Sequence, residues 1–122
     1  MLSIDGQEYD VPVISLKRKA DFLDKYAERT EDGVLRRELI GVYFNYQLKL
    51  GATLDAGEYR RLWRKLTEPE EFHTVTLPGE DGDYTFTAYF SGVGDELRRQ
   101  RDGRNYFRGL TVNFIARTPA RS

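Results

Sequence analysis

Arg29-Thr-Glu-Asp-Gly-Val-Leu-Arg-Arg-Glu-Leu-Ile-Gly-Val-Tyr-Phe-Asn-Tyr-Gln-Leu-Lys-Leu50 joins a charged turn to a long run of β-formers. Asp32-Gly33 is a turn dipeptide, because glycine tolerates positive φ and aspartate bonds its local backbone. From Val34 onward the residues that favour a pleated strand dominate: Leu39, Ile40, Val42, Tyr43, Phe44 and Tyr46 are bulky, branched or aromatic. A strand this long is well beyond the usual ~5–6 residues. One end of it is expected to stand clear of a small core, as a ribbon available to other chains. The stretch carries no catalytic chemistry.

Working outward, Leu2–Ile4, Asp5-Gly6 and Tyr9–Leu16 read as an opening hairpin. Pro12 lacks an N–H donor and favours an edge or a bulge there. Lys17–Gly33 is open to two readings. Ala20, Leu23, Tyr26 and Ala27 fall at helical spacing, while a strand to about Phe22 followed by a polar loop fits the same residues. A helix is predicted from Thr53-Leu54-Asp55, with Asp55 as N-cap and Glu58 completing a capping box. Tyr59, Leu62, Trp63 and Leu66 form its apolar stripe, opposite Arg60, Arg61, Arg64 and Lys65. Pro69 closes it.

Phe72–Leu77 and Tyr84–Phe90 are expected to pair as a hairpin across Pro78–Asp83. Ser91–Arg104 is read as a polar segment with a short helix capped by Asp95. Tyr106–Arg117 is a final strand. One helix among about six strands predicts a mainly β, α+β domain spanning residues 1–122: a β-sandwich or partly open β-barrel with a flanking helix and a long hairpin.

Composition narrows the function. Nineteen basic residues stand against 20 acidic ones, a net charge of −1, which argues against a dedicated nucleic-acid binder. Eight Tyr and seven Phe suit β-structure and wet protein contacts better than a catalytic cleft. Cysteine is absent, so no disulfide framework or thiolate chemistry is expected. No secretory signal pattern and no apolar run long enough to span a bilayer appear, so a soluble chain made in a cytoplasm is expected, with no membrane partner.

The candidate sites are thin. His73, the single histidine, reads as a surface or hairpin residue: Glu70, Glu71 and Thr74 are adjacent in sequence, but strand alternation sends neighbours to opposite faces. Glu80-Asp81-Gly82-Asp83 reads as a turn and not a calcium loop, and Glu68, Glu70 and Glu71 as solvated carboxylates. Gly92-Val93-Gly94 has no third glycine opening a helix. Arg98, Arg99, Arg101, Arg104 and Arg108, interleaved with Tyr106 and Phe107, form the alternative site, a contact for single-stranded nucleic acid. Asp95, Glu96 and Asp102 lie in the same run, which favours a salt-bridged solvated loop. No catalytic residue, cofactor or metal site is expected.

Several stretches resemble a group of small prophage-encoded structural proteins of the kind encoded among bacteriophage tail genes. They are Arg29–Gly33 with Ile40–Tyr46, Tyr59–Pro69, Phe72–Pro78, and Tyr106–Phe114 closing on Pro119-Ala120-Arg121. The resemblance implies a module similar to tail-tube and distal-tail β-folds, non-enzymatic, located in the virion tail after synthesis in the host cytoplasm. It implies self-association into rings, or contact with other tail proteins, through a hairpin here spanning Lys17–Gly33–Leu50. It also favours strand then loop over helix before Gly33. Arg29, Glu31, Asp32, Arg36, Arg37 and Glu38 would set electrostatic register at the tip, and Tyr43, Phe44 and Tyr46 would supply packing area at the base. At 122 residues the chain is short for a tail-tube subunit, so a baseplate, tail-completion or connector role is equally implied.

Overall fold

The computed structural model of the chain describes residues 2–51, 56–101 and 103–122. The strands are β1 (Leu2–Ile4), β2 (Gln7–Tyr9), β3 (Val13–Arg29), β4 (Leu35–Leu50), β5 (His73–Gly79), β6 (Gly82–Arg101) and β7 (Arg104–Ala116), with one helix, α1 (Ala56–Leu66), between β4 and β5. The strands form one antiparallel sheet in the order β2-β1-β5-β6-β7-β4-β3. The mainly β reading with one helix holds. The sheet is single and stays unclosed, so the sandwich alternative is not realised.

The opening turn follows from sequence chemistry. Asp5 and Gly6 both take positive φ, 51° and 82°, the backbone twist a two-residue hairpin requires. The expected strand Tyr9–Leu16 is instead cut at Pro12, with β2 ending before it and β3 starting after it. Those two strands are the opposite edges of the sheet, yet only Asp10, Val11 and Pro12 join them. So short a link forces the sheet to roll. Helix α1 lies against the gap: Arg61 donates to the Glu8 carbonyl at 2.5 Å, Asp10 N–H donates to Glu58 at 2.9 Å, and the Arg61 guanidinium lies 4.3 Å from the Tyr9 ring centre.

The rolled sheet encloses the core. Alternation sends Tyr46, Leu48 and Leu50 of β4, His73, Val75 and Leu77 of β5, and Leu110, Val112 and Phe114 of β7 to the same concave face. Leu62 and Leu66 of α1 complete it, and at Pro69 the chain has already left the helix. The predicted N-cap, Thr53-Leu54-Asp55, lies outside the described residues.

Two corrections concern the hairpins. Residues 20–28 are neither helix nor loop: β3 continues to Arg29, because every residue of the stretch except Lys25, which sits at a bulge, finds a cross-strand partner in β4. Its alternate residues lie beside apolar or oppositely charged neighbours, which outweighs the weak helical spacing. Likewise Ser91–Arg104 holds no short helix among its described residues. Gly92 and Gly94 disfavour one, and β6 runs to Arg101 in register with β7.

The β4–β7 ladder covers only Tyr46↔Phe114 to Lys49↔Thr111. The paired β3–β4 strands therefore continue past the sheet in one direction, and the paired β6–β7 strands in the other. Beyond β7 the C-terminal tail turns beside β4, where Val42 N–H donates to the Arg121 carbonyl at 2.7 Å and Ala120 N–H donates to the Val42 carbonyl at 2.9 Å. Gly41 permits this approach, since a Cβ there would lie 2.6 Å from Pro119 Cβ and 2.9 Å from the Arg121 oxygen. Gly41→Ala is expected to push the tail off β4 at a cost of roughly 1–3 kcal/mol. Hydrogen exchange at Val42 N–H reads this directly, and unchanged protection would count against the contact.

Candidate functional site

Past Gly41 the β3–β4 pair has no third strand, and it projects by roughly 20 Å at ~3.3 Å per residue. Its tip is built locally. Gly33 N–H donates to the Thr30 carbonyl at 2.9 Å, Thr30 N–H to the Val34 carbonyl at 2.8 Å, and Asp32 Oδ1 accepts from Val34 N–H at 3.2 Å and from the Thr30 hydroxyl. These bonds hold the Asp32 carboxyl below its ordinary range, the Thr30 hydroxyl being the largest influence. Arg29 donates to the Gly33 carbonyl at 2.7 Å.

Along the shaft, Arg37 pairs with Asp24 at 2.5 Å and its guanidinium sits 5.5 Å from the Phe22 ring centre, so all three share a face. Lys25 and Glu38 approach to 3.9 Å. Exposed pairs of this kind contribute about 0–1 kcal/mol each; they set the ribbon's register more than its stability. What distinguishes it is apolar. Phe22, Leu23, Tyr26, Val34, Leu35, Leu39 and Ile40 each expose 45% or more of their surface.

Of the residues expected to make this interface, Arg29, Glu31, Asp32, Arg36, Arg37 and Glu38 are exposed on the ribbon, as the turn chemistry implied. The aromatic base is different. Tyr46 is only 6% exposed and belongs to the protein's own core, its ring 5.2 Å from Phe86 and 6.0 Å from Tyr84. Phe44 packs 6.3 Å from Tyr84, and Tyr43 is half-buried opposite Asp21. The apolar contact area lies further out, at Phe22, Leu23 and Tyr26 of β3 and Leu35, Leu39 and Ile40 of β4. The expected strand, ending at about Phe22 before a polar loop, stops short of the outer β3 half, which runs on to Arg29.

At the other end, the β6–β7 pair overhangs α1 and encloses a groove of about 370 Å³, walled by Tyr59, Trp63, Asp95, Tyr106, Phe107 and Arg108 among others. Tyr59 donates its hydroxyl to Asp95 at 2.9 Å; burial first, and then that carboxylate, raise the phenol above its ordinary value. Asp95 is thus a tyrosine's acceptor and not a helix cap. The arginines of the alternative site lie on this hairpin. Arg98 pairs with Glu96 at 3.0 Å, and Arg108 stands opposite Glu96 in the ladder. Arg99, Arg101 and Arg104 are placed by their backbone pairing alone; their side chains and Asp102 lie outside the described part.

His73 departs most from expectation. Odd-numbered residues of β5 face the core, so its side chain is 3% exposed instead of lying at the surface. It stacks on Phe90 with centroids 4.6 Å apart, and its Nδ1 lies 2.7 Å from Oδ2 of Asp5, in the opening turn. Asp5 also accepts from Thr74 N–H at 2.9 Å and meets Lys65 Nζ at 3.0 Å. Burial pushes the Asp5 carboxyl up, but the bonds from His73, Thr74 and Lys65 outweigh it and hold the group at about 2 against an ordinary 3.8. An orienting carboxylate is therefore present, supplied from 68 residues away. No sequence spacing announces such a partner.

The sign of the linkage is fixed by that lowered value. Asp5 contributes stability above its unfolded pKa, and the contribution disappears as pH falls from 3.8 through about 2. The gap sets a ceiling of ~2 kcal/mol, and with 35% of the side chain in water screening reduces it to about 1 kcal/mol. Asn tolerates the left-handed turn, so Asp5→Asn isolates the charge. Urea unfolding is expected to show that deficit at about pH 7 and almost none at about pH 2. An equal deficit at both would refute the ionic origin.

No known family profile matches the sequence, and no curated protein matches it.

Proposed function

We propose that the chain is a non-enzymatic structural protein that assembles, with copies of itself or with companion proteins, through the β3–β4 ribbon. One observation carries the reading: a two-stranded ribbon exposes seven large apolar side chains, and no third element of the chain covers them among the described residues. An isolated hairpin is at best marginally stable in water, and an exposed apolar strand pair invites pairing with another chain. Interspersed charges, Lys25, Glu28, Arg29, Arg36 and Glu38, limit indiscriminate pairing and select the partner that matches them.

The two overhanging hairpins leave opposite ends of the sheet, which favours head-to-tail contacts. Contacts of that kind close into rings or continue as filaments. Together with the resemblance to prophage tail components, this supports a place in a virion tail, as a tube, distal-tail, baseplate or completion protein. The nucleic-acid alternative is weaker, since Glu96 already pairs with Arg98 and faces Arg108. Among the described residues, no helix is long and apolar enough to cross a membrane.

Sedimentation or light scattering over a concentration series tests the proposal. The intact chain is expected to show a mass that rises with concentration, and the protein lacking the ribbon is not. A mobility shift with single-stranded DNA at low salt, lost on replacing the β6–β7 arginines, would point to the alternative instead.

A further inference from the structure

The groove between α1 and the β6–β7 hairpin has a wall of aromatic rings, Tyr59, Trp63, Tyr106 and Phe107, with Arg60 and Arg108 beside them. We propose, on the premise that the β3–β4 ribbon is the assembly element, that this groove receives the turn end of the ribbon of a second copy of the chain. Val34 and Leu35 enter among the rings, and the carboxylates of Glu31 and Asp32 face the two arginines.

Most of the exposed large apolar side chains lie on the two overhanging hairpins. Val34 and Leu35 flank the ribbon turn, and Leu97, Tyr106 and Phe107 stand on the β6–β7 pair. The groove volume of about 370 Å³ is near the low end of the ~300–1,000 Å³ usual for ligand pockets. It suits a few side chains better than a large ligand. The ribbon of the same molecule cannot fill it, because the two hairpins leave opposite ends of the sheet. A ribbon seated there comes from another copy, and the contact is head-to-tail.

Charge selects that occupant. From the Glu28–Arg36 ladder pair outward, the ribbon end carries Glu28, Glu31 and Asp32 against Arg29 and Arg36, a net of −1. Arg29 is turned back onto the Gly33 carbonyl, so the turn presents its two exposed carboxylates. Residues 95–108 carry five arginines against Asp95, Glu96 and Asp102, a net of +2, and Arg60 of α1 adds another positive charge. The acids beside the groove are engaged: Asp95 accepts from the Tyr59 hydroxyl at 2.9 Å, and Glu96 is held by Arg98 at 3.0 Å. Arg60 and Arg108 form no ion pair among the described residues. Complementary charge on two different faces orients such an encounter and rejects like-charged partners. A nucleic acid would meet the same arginines, yet it would leave Val34 and Leu35 uncovered and bring its phosphates against Asp95 and Glu96.

Trp63 is the single tryptophan and lies half-buried in the groove wall, so its fluorescence reports occupancy. As the concentration of the intact chain rises, its emission is expected to shift to the blue and to gain protection from acrylamide, in step with the mass from light scattering. Arg60→Glu/Arg108→Glu and, separately, Glu31→Arg change exposed positions only. Each is expected to weaken self-association by roughly tenfold or more while leaving the thermal midpoint in place. An equimolar mixture of the two variants is expected to regain association and the Trp63 shift, since reversed turn then meets reversed groove and native turn meets native groove. Association with Trp63 unchanged, or a double variant that associates like the intact chain, would overturn the groove as acceptor and leave the ribbon's role standing. A mixture that shows no recovery also overturns the contact. An intact chain that stays monomeric at every concentration overturns it together with self-assembly through the ribbon. A Trp63 shift on adding oligothymidylate to a monomeric chain at low salt would assign the groove to nucleic acid instead.

Discussion

Replacing residues 25–38 with an Asn-Gly turn closed on the Asp24–Leu39 pair is expected to leave the domain folded and to make it monomeric. The pair is already in register, and Asn-Gly supplies the positive φ values that a two-residue hairpin needs. Everything removed lies outside the concave core, whose buried residues belong to β1, β2, β4, β5, β7 and α1 together with Val11 and Ala88. The thermal midpoint should therefore move by no more than about 5 °C. Association should collapse, because Tyr26, Val34 and Leu35 are lost together with the charged tip, and no equivalent apolar ribbon remains at that end. If the shortened and intact proteins give the same mass distribution at every concentration, the ribbon is not the assembly element.

The largest effect on stability is expected at the opposite extreme of exposure. Phe114 is fully buried, stands opposite Tyr46 in the β4–β7 ladder and meets Phe90 edge-on at 5.0 Å. It sits where the sheet rolls, so the surrounding strands cannot collapse into the space it leaves. Phe114→Ala should cost about 3–5 kcal/mol, a large part of the ~5–15 kcal/mol available to a domain, and lower the midpoint by roughly 10–20 °C. Phe22→Ala is the matched comparison. That ring is 60% exposed, with the Arg37 guanidinium 5.5 Å from its centre, so the change should be under about 1 kcal/mol. Denaturant unfolding of both variants decides the matter, and equal losses would contradict the assignment of core and ribbon.

Both expectations depend on knowing which phenylalanine is inside, and the sequence went only part of the way. In the expected strands 84–90 and 106–117, Phe86, Phe90, Leu110, Val112 and Phe114 lie in or against the core, whereas Phe107 is exposed on the overhanging hairpin. The Tyr59, Leu62, Trp63, Leu66 stripe marked the inward face of α1, and Leu62 and Leu66 are buried there. Alternation fails where charged residues interrupt the apolar ones. Over 20–28 it does not separate helix from strand, and over 91–104 the polar segment reads as holding a short helix capped by Asp95.

The candidate sites divide in the same way. The turn at Asp32-Gly33 and the charges around it were legible, because turn chemistry is written in adjacent residues. The resemblance implies Tyr46 as packing area at the base of the assembly hairpin, yet its packing against Tyr84 and Phe86 makes it core. Asp5 and His73 looked unrelated until β1 paired with β5, which sets Ile4 beside Val75 and the opening turn beside the histidine.

Taken alone, the amino-acid order specified what acts within a few residues: the opening Asp5-Gly6 turn, the ribbon turn, the stripe and stop of the helix, and the absence of cysteine chemistry. Tertiary structure decided the strand order, the opposite directions of the two overhanging hairpins, the burial of Tyr46, and the meeting of His73 with Asp5. The physical reason is that φ preferences and side-chain periodicity are local, whereas any antiparallel neighbour satisfies a strand's backbone bonds equally well. Which neighbour is chosen depends on the joint burial of side chains far apart in the chain. That choice appears only once the short link through Asp10, Val11 and Pro12 has rolled the sheet upon itself.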